Sequence, residues 1–552
     1  MRLAVLMTVV FPLTAAKAAD LQLANLFSDH MVIQRDQPVR IWGSADVGQM
    51  VTVLFADQSV SAAADSNGQW LVTLKPLAAN AEGRVLRVHS GNDVHEINDV
   101  LVGDVWICGG QSNMEWTLRG SRDADLEIQS ADTPAIRFIR LPKIARDVPQ
   151  DDFPVSNDRN VGRWKRCVPE ETENCTAVGY YFARRIHRRL KIPVGLIDNS
   201  WGGTMAQHWA TSESLKPIPE MQPFFESFET AVREWNQQGG EEGAQKRYTE
   251  ALAKWEDDRR NAEAEGRRPP GRPNRDSFGN PAHKRQPSGM LNGCLMPLKN
   301  CSLRGVLFYQ GENNSFGTSW KPFYRSYPAV ISDWRRILGR DDLPFGLVQI
   351  AGWSNRRSMK YDMNHHTNVV REIQFDTWQG TKNTGLIVTF DTNSSQSIHP
   401  GRKLPVGERL ARWALAEVYD VRDPSGRPLT WKGPVYTSMK IEGPRIRIQF
   451  EEGTAEGLVL DQDVDVGFYI AGEDRVFHHA RARADGRAGE LVVWHDEIAN
   501  PVAVRYGFSN LPAGGLMNRR ELPAYPFRTD SWPMTPHQST GDYLRGGRRE
   551  AD

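Results

Sequence analysis

Five short, predominantly apolar runs separated by helical stretches constrain the fold of this chain more than any other feature. They are Asp104 to Cys108, Ile192 to Ile197, Gly305 to Tyr309, Phe345 to Ile350 and Leu386 to Phe390. A strand that reads apolar on both faces is buried on both faces, and helices between successive strands are the crossovers of a parallel sheet. Tyr180 to Leu190, Tyr324 to Arg336 and His366 to Trp378 have the helical spacing such crossovers need. The fold class is therefore α/β, a parallel sheet flanked by helices. Ligands of such sheets bind beyond the carboxyl ends of the strands, so the residues after each run carry the most information.

The flanks read differently. Val39 to Gly43, Val51 to Phe55 and Trp70 to Leu74 are short β-prone runs with turn chemistry at Asp65-Ser66-Asn67-Gly68, which suggests an N-terminal β-sandwich over residues 19–100. The central domain then spans 101–428. Short strands return over 429–530, where Arg445 to Phe450 alternates polar with apolar groups, as a half-exposed strand does. Residues 213–290 are charged and poor in β-branched side chains, and form a helical insertion with helices over Phe224–Trp235 and Gln245–Ala262. Within it, Arg267 to Arg275 reads as a solvated linker, with a lid over the site as the alternative. At the start, Arg2, the apolar run Leu3 to Leu13 and Ala16-Lys17-Ala18 have the form of a secretory signal peptide cut after Ala18. Residues 531–552 read as a frayed tail.

Composition narrows the function classes. Lys and Arg number 68 against 68 Asp and Glu, so the basic excess expected of a nucleic-acid or anionic-membrane binder is missing. Seventeen Trp is many for 552 residues; they read as core, with platforms for sugar rings as the alternative. Five Cys allow Cys167–Cys175 and Cys294–Cys301 loops that leave Cys108 over, or free thiols throughout. The His365-His366 doublet lacks the spacing of a metal site.

Four strand-end motifs carry the chemistry. Gly110-Gln111-Ser112-Asn113-Met114 puts a Ser directly after a buried strand, where backbone N–H groups of the next turn can hold an oxyanion. Asn199-Ser200-Trp201-Gly202-Gly203-Thr204 offers a backbone open to close approach. Tyr309-Gln310-Gly311-Glu312-Asn313-Asn314 brings a carboxylate and two amides, and Ser397-Ile398-His399-Pro400 brings an imidazole. Each alone is loop and cap chemistry. Together they hold a nucleophile, a base, candidate acids and oxyanion donors, the set required for acyl transfer through a covalent ester.

These segments match, in order, the GQSNM, SWGGT, YQGExN and IHPxxKxxxGxRLA patterns of the sialate O-acetylesterase-like family of SGNH hydrolases, which the chain resembles over nearly its whole length. Asp29 to Arg35, Arg371-Glu372-Ile373-Gln374 and Pro523 to Arg528 are also similar. The resemblance implies Ser112 as nucleophile and His399 as base. It places oxyanion donors at the Ser112 N–H, Gly202 and Asn314, with Gln111 beside them as a substrate-binding residue. Relatives commonly carry Asp two residues before the His, where this chain has Ser397. Glu312 is the preferred acid, Asp391 the second choice, and a Ser–His dyad the third. The implied activity is an exported carbohydrate O-acetylesterase that uses no metal or organic cofactor. Its substrates would be acetylated hemicellulose oligosaccharides or O-acetylated sialic acid. A lipase- or thioesterase-like enzyme and a non-catalytic glycan-binding protein are the alternatives.

Overall fold

The computed structural model describes residues 21–353, 366–393, 397–461, 467–512 and 515–532. The expected signal peptide, His365 and all of the expected tail beyond residue 532 lie outside the described residues.

Among the described residues, six strands form the parallel part of an eleven-stranded mixed sheet: β1 (Asp93–Gly110), β2 (Ile136–Arg140), β3 (Val194–Ser200), β4 (Gly305–Tyr309), β5 (Phe345–Val348) and β6 (Thr384–Ile387). Their order is β2-β3-β1-β4-β5-β6, and every neighbouring pair is parallel. All residues of β3, β4 and β5 are buried, which explains why these runs lack the alternation of a half-exposed strand. The chain passes from β1 through β2 to β3 on one side, then crosses to β4 on the other. This switch opens a crevice at the carboxyl end of β1, between the ends of β3 and β4.

Helices α1 (Ser112–Glu115), α2 (Ala177–Leu190), α3 (Phe323–Ile337) and α4 (His366–Gly380) lie between successive strands, and α5 (Leu404–Trp413) follows the last of them. Helix α2 starts at Thr176, whose hydroxyl accepts from the Gly179 N–H. Helix α5 lies so close to α2 that a Cβ on Gly407 would come within 2.7 Å of the Val178 carbonyl oxygen. That glycine is the price of bringing the histidine motif down onto the sheet. The insertion helices run over Gln222–Gln237 and Gly240–Ala264, slightly longer than expected, and are separated by Gly239 at φ 88°.

Strand β1 has 18 residues, and the expected boundary near residue 100 falls inside it. Its first half pairs antiparallel with Asn80–Ser90 of the N-terminal β unit, and its second half enters the central sheet. The Asp29–Arg35 segment fixes this strand at its middle. Gln34 Oε1 accepts from the Val105 N–H at 2.9 Å, and the Arg35 guanidinium donates to both oxygens of buried Asp104 at 3.1 Å. The N-terminal unit buries Val51, Val53, Trp70, Val72, Leu86 and Val88.

The C-terminal region contains two four-stranded antiparallel sheets. It docks on the catalytic domain through Arg528–Glu372 (2.5 Å) and through the Tyr525 hydroxyl, which donates to the Leu386 carbonyl at 2.5 Å. The similar text at Arg371–Gln374 and Pro523–Arg528 is therefore a docking surface. Ten of the seventeen Trp are buried, so their excess is mainly packing. All five Cys are free thiols; Cys294, for one, donates to the Ile144 carbonyl at 3.1 Å.

Candidate active site

Strand β1 ends at Gly110, whose φ of 122° lies in the region that favours glycine; a Cβ there would overlap the Tyr309 carbonyl of β4. The chain then turns sharply, and Ser112 becomes the first residue of α1. Gln111 locks the turn. Its N–H donates to the Tyr309 carbonyl at 3.0 Å, and its side-chain carbonyl accepts from Gln310 Nε2 at 2.8 Å and from the Asn313 N–H at 3.2 Å. The Gln111 carbonyl oxygen thus ties β1 to β4.

Ser112 Oγ lies 2.8 Å from His399 Nε2. The imidazole stacks on Trp116, with centroids 5.4 Å apart and planes at 26°. The His399 loop is held twice: its own N–H donates to Ser397 Oγ at 3.0 Å, and Asn113 Nδ2 donates to the Ile398 carbonyl at 3.1 Å. Burial and the positive charge of Lys403 lower the His399 pKa from its ordinary value, against the opposing pull of Glu115. A neutral imidazole beside a seryl hydroxyl is competent to accept its proton.

The two candidate acids are elsewhere. Buried Glu312 accepts from Asn113 Nδ2, its second oxygen has no partner, and Asn113 Oδ1 accepts from the buried Lys403 ammonium. Burial raises the Glu312 pKa and lowers that of Lys403, while their mutual attraction works the other way. Asp391 is held by both terminal nitrogens of Arg409, at 2.7 and 2.6 Å. Neither acid accepts a hydrogen bond from His399, and among the described residues no carboxylate does. The sequence placed both acids near the right strand ends but carried no signal for their partners. The cations that answer them, Lys403 and Arg409, lie 91 and 18 positions away in the chain.

The expected oxyanion residues divide. A Cβ on Gly202 would stand 3.1 Å from Ser112 Cβ, a tight contact that the absence of a side chain relieves where this turn packs on the nucleophile. Its N–H donates to Glu115 Oε2 at 2.6 Å, and the same carboxylate pairs with Lys143. Asn314 is fully buried and committed: Oδ1 accepts from the Ala206 N–H at 3.0 Å, and Nδ2 donates to Gln207 Oε1 at 3.1 Å. It stitches the β4 turn to the segment after the glycine turn. Sequence reasoning gave no role to Asn113, Glu115, Trp116 or Lys403. The first three follow Ser112 directly and Lys403 lies four residues past His399, so proximity to the motif residues was the available signal.

A seryl hydroxyl paired with an imidazole at the carboxyl end of a parallel sheet defines a serine hydrolase. Comparison with known proteins gives the class its substrate. The family model described as carbohydrate esterase, sialic acid-specific acetylesterase, matches residues 102–261 and 286–416, more than half of the chain, and the chain belongs to that family. It is 25% identical to mouse sialate O-acetylesterase over 455 residues, 75% of each chain. It is 26% identical to the human enzyme over 444 residues, 75% of this chain and 73% of the human one. The crystal structure of a carbohydrate acetylesterase from Xanthomonas citri superposes with a TM-score of 0.73 at 30% identity, covering 93% of this chain and all of that one. The protein is a serine esterase that hydrolyses acetyl esters on sugars.

Proposed function

We propose that Ser112 and His399 carry out this hydrolysis as a dyad. The observation that carries the reading is the 2.8 Å contact between Ser112 Oγ and His399 Nε2, with the ring braced on Trp116. His399 takes the hydroxyl proton as Oγ bonds to the acetyl carbonyl carbon. The tetrahedral oxyanion is held by the Ser112 N–H, at the start of α1, and by the Gly202 N–H once it exchanges Glu115 for the substrate oxygen. Collapse breaks the ester C–O bond, and imidazolium returns its proton to the departing sugar hydroxyl. Water, deprotonated by His399, then attacks the acetyl-serine, and acetate leaves as Oγ regains the proton.

Glu312, Asn113 and Lys403 act in this account as positioning residues, through the Asn113 bond to the carbonyl before His399. Asn314 and Gln111 hold the turns that present Gly202 and Ser112. The substrates are acetylated hemicellulose oligosaccharides or O-acetylated sialic acid, met outside the cytoplasm after removal of residues 1–18. Among the described residues, no helix is long and apolar enough to cross a membrane. Acetate release from acetylated sialosides, xylo-oligosaccharides and xyloglucan fragments tests the reading. Activity that instead rises with acyl chain length on p-nitrophenyl esters would favour a lipase, and Edman sequencing of the mature protein tests the cleavage.

A further inference from the structure

The backbone donor at Gly202 is already occupied. Its N–H donates to Glu115 Oε2 at 2.6 Å, short for a bond to a carboxylate. Glu115 Oε2 and Ser112 Cβ each stand 3.1 Å from the point a Gly202 Cβ would occupy, so the carboxylate bears on the same spot of the turn as the nucleophile. Glu115 comes three residues after Ser112 on α1, on the same helical face. Its charge reaches His399, where it pulls the pKa up against burial and Lys403. A negative oxygen thus rests on the donor that an ester carbonyl oxygen needs as it becomes negative.

The other carboxylate oxygen, Oε1, accepts from the ammonium of Lys143, on the segment after β2. Lys143 is 36% exposed and Glu115 24%, so this pair can swing without opening the core. The Lys143 charge also acts on buried Asp198 at the end of β3, which Arg140 approaches at 3.8 Å. Two cations therefore line the side of the turn to which the carboxylate can move. An N–H left without an acceptor in a partly buried turn is costly, and a carboxylate on it holds the turn in shape between turnovers. The same bond opposes substrate, because the ester oxygen must displace it.

We propose that Glu115 is a resting ligand of the oxyanion site and that Lys143 is the residue that receives it, so that this pair sets how readily an ester enters. Both act through the Gly202 N–H and are positioning residues. The inference rests on the Ser112–His399 reading and adds a displacement before acylation: the bond from Gly202 to Oε2 breaks, the carboxylate turns fully to Lys143, and the acyl oxygen takes the N–H. Phenylboronic acid is the probe. Ser112 Oγ adds to boron, the hydroxyl proton passes to His399, and a hydroxyl oxygen of the anionic tetrahedral boronate occupies the donor. Its affinity is measured by titration calorimetry for wild type, Glu115→Ala, Lys143→Met, the double variant and Ser112→Ala, with kcat/KM on p-nitrophenyl acetate alongside.

The two residues should shift affinity in opposite directions. Glu115→Ala should bind the boronate about tenfold more tightly than wild type and raise kcat/KM by a similar factor. Lys143→Met leaves the carboxylate more firmly on Gly202, and should weaken boronate binding and lower kcat/KM about threefold. The double variant should stay close to Glu115→Ala, because Lys143 then has no carboxylate to receive. If Glu115 merely braced the glycine turn, both single variants would lose affinity and rate. Unchanged or weaker boronate binding in Glu115→Ala, or a Lys143→Met shift that is absent or in the same direction as that of Glu115→Ala, overturns the proposal and leaves the esterase reading intact. Boronate that does not bind wild type, or binds Ser112→Ala equally well, overturns the nucleophile assignment and the proposal with it.

Discussion

The two sides of the short helix α1 use similar residue types for opposite ends. Toward the crevice, Ser112 and His399 are half-buried and meet at 2.8 Å, with Trp116 stacked on the imidazole. Toward the core, Asn113 joins a buried carboxylate to a buried ammonium. Burial on the crevice side is shallow enough to leave a neutral, reactive imidazole. On the core side it is so deep that ionised groups persist only by pairing. Reactivity therefore depends on exposure, whereas the dry network underneath contributes rigidity.

If the sides are distinct in this way, their variants separate. Ser112→Ala should lower kcat by about four orders of magnitude or more, with the thermal midpoint nearly unchanged, because a half-buried hydroxyl is lost and little packing with it. Acetate release close to wild type in that variant would erase the distinction. Lys403→Met should do the reverse, destabilising the fold by about 3–5 kcal/mol in urea titration, since Glu312 would be left buried without its cation. The double variant Lys403→Met/Glu312→Leu should recover a large part of that loss. Glu312→Gln sharpens the point, because it keeps an acceptor for Asn113 and should leave the pH profile of kcat in place. A triad acid replaced by its amide would instead cost about 10⁴-fold in kcat.

The distribution of roles shows where the sequence was informative. The apolar runs at β3, β4 and β5 disclosed a doubly covered sheet because burial on both faces writes itself directly into composition. Ser112 and His399 were legible because each follows a motif bound to a strand end or loop. The acids were not, since a carboxylate beyond a strand reads the same whether it serves an imidazole or an arginine. Only the fold reveals that Arg409 reaches back to Asp391, or that Lys403 comes under α1. The same holds for Asp29–Arg35, whose similarity to the family carried no reason in the sequence and whose side chains clamp the middle of β1. That one strand runs through the expected boundary near residue 100 was invisible for a related reason, since both halves of β1 are strand and only their partners change.

Smaller effects probe the electrostatics. Asp391→Asn should weaken its bidentate pairing with Arg409, destabilising the protein by about 1–2 kcal/mol and changing kcat less than about threefold. For the base, the sign follows from its neutral working form: His399 acts when deprotonated, and its pKa is lowered from the ordinary 6.5. Activity should accordingly rise along a single limb whose midpoint lies below pH 6.5 and stay level through neutrality. Glu115→Gln removes a negative charge that holds this pKa up, and should move the midpoint lower still.

The acetyl-enzyme itself tests the central claim most directly. Protein quenched in acid during turnover of an acetyl ester, digested and mapped by mass spectrometry, should carry one acetyl group on the peptide containing Ser112 and none in Ser112→Ala. An acetyl group on another side chain, or steady hydrolysis by Ser112→Ala with no acylated peptide, would contradict the dyad.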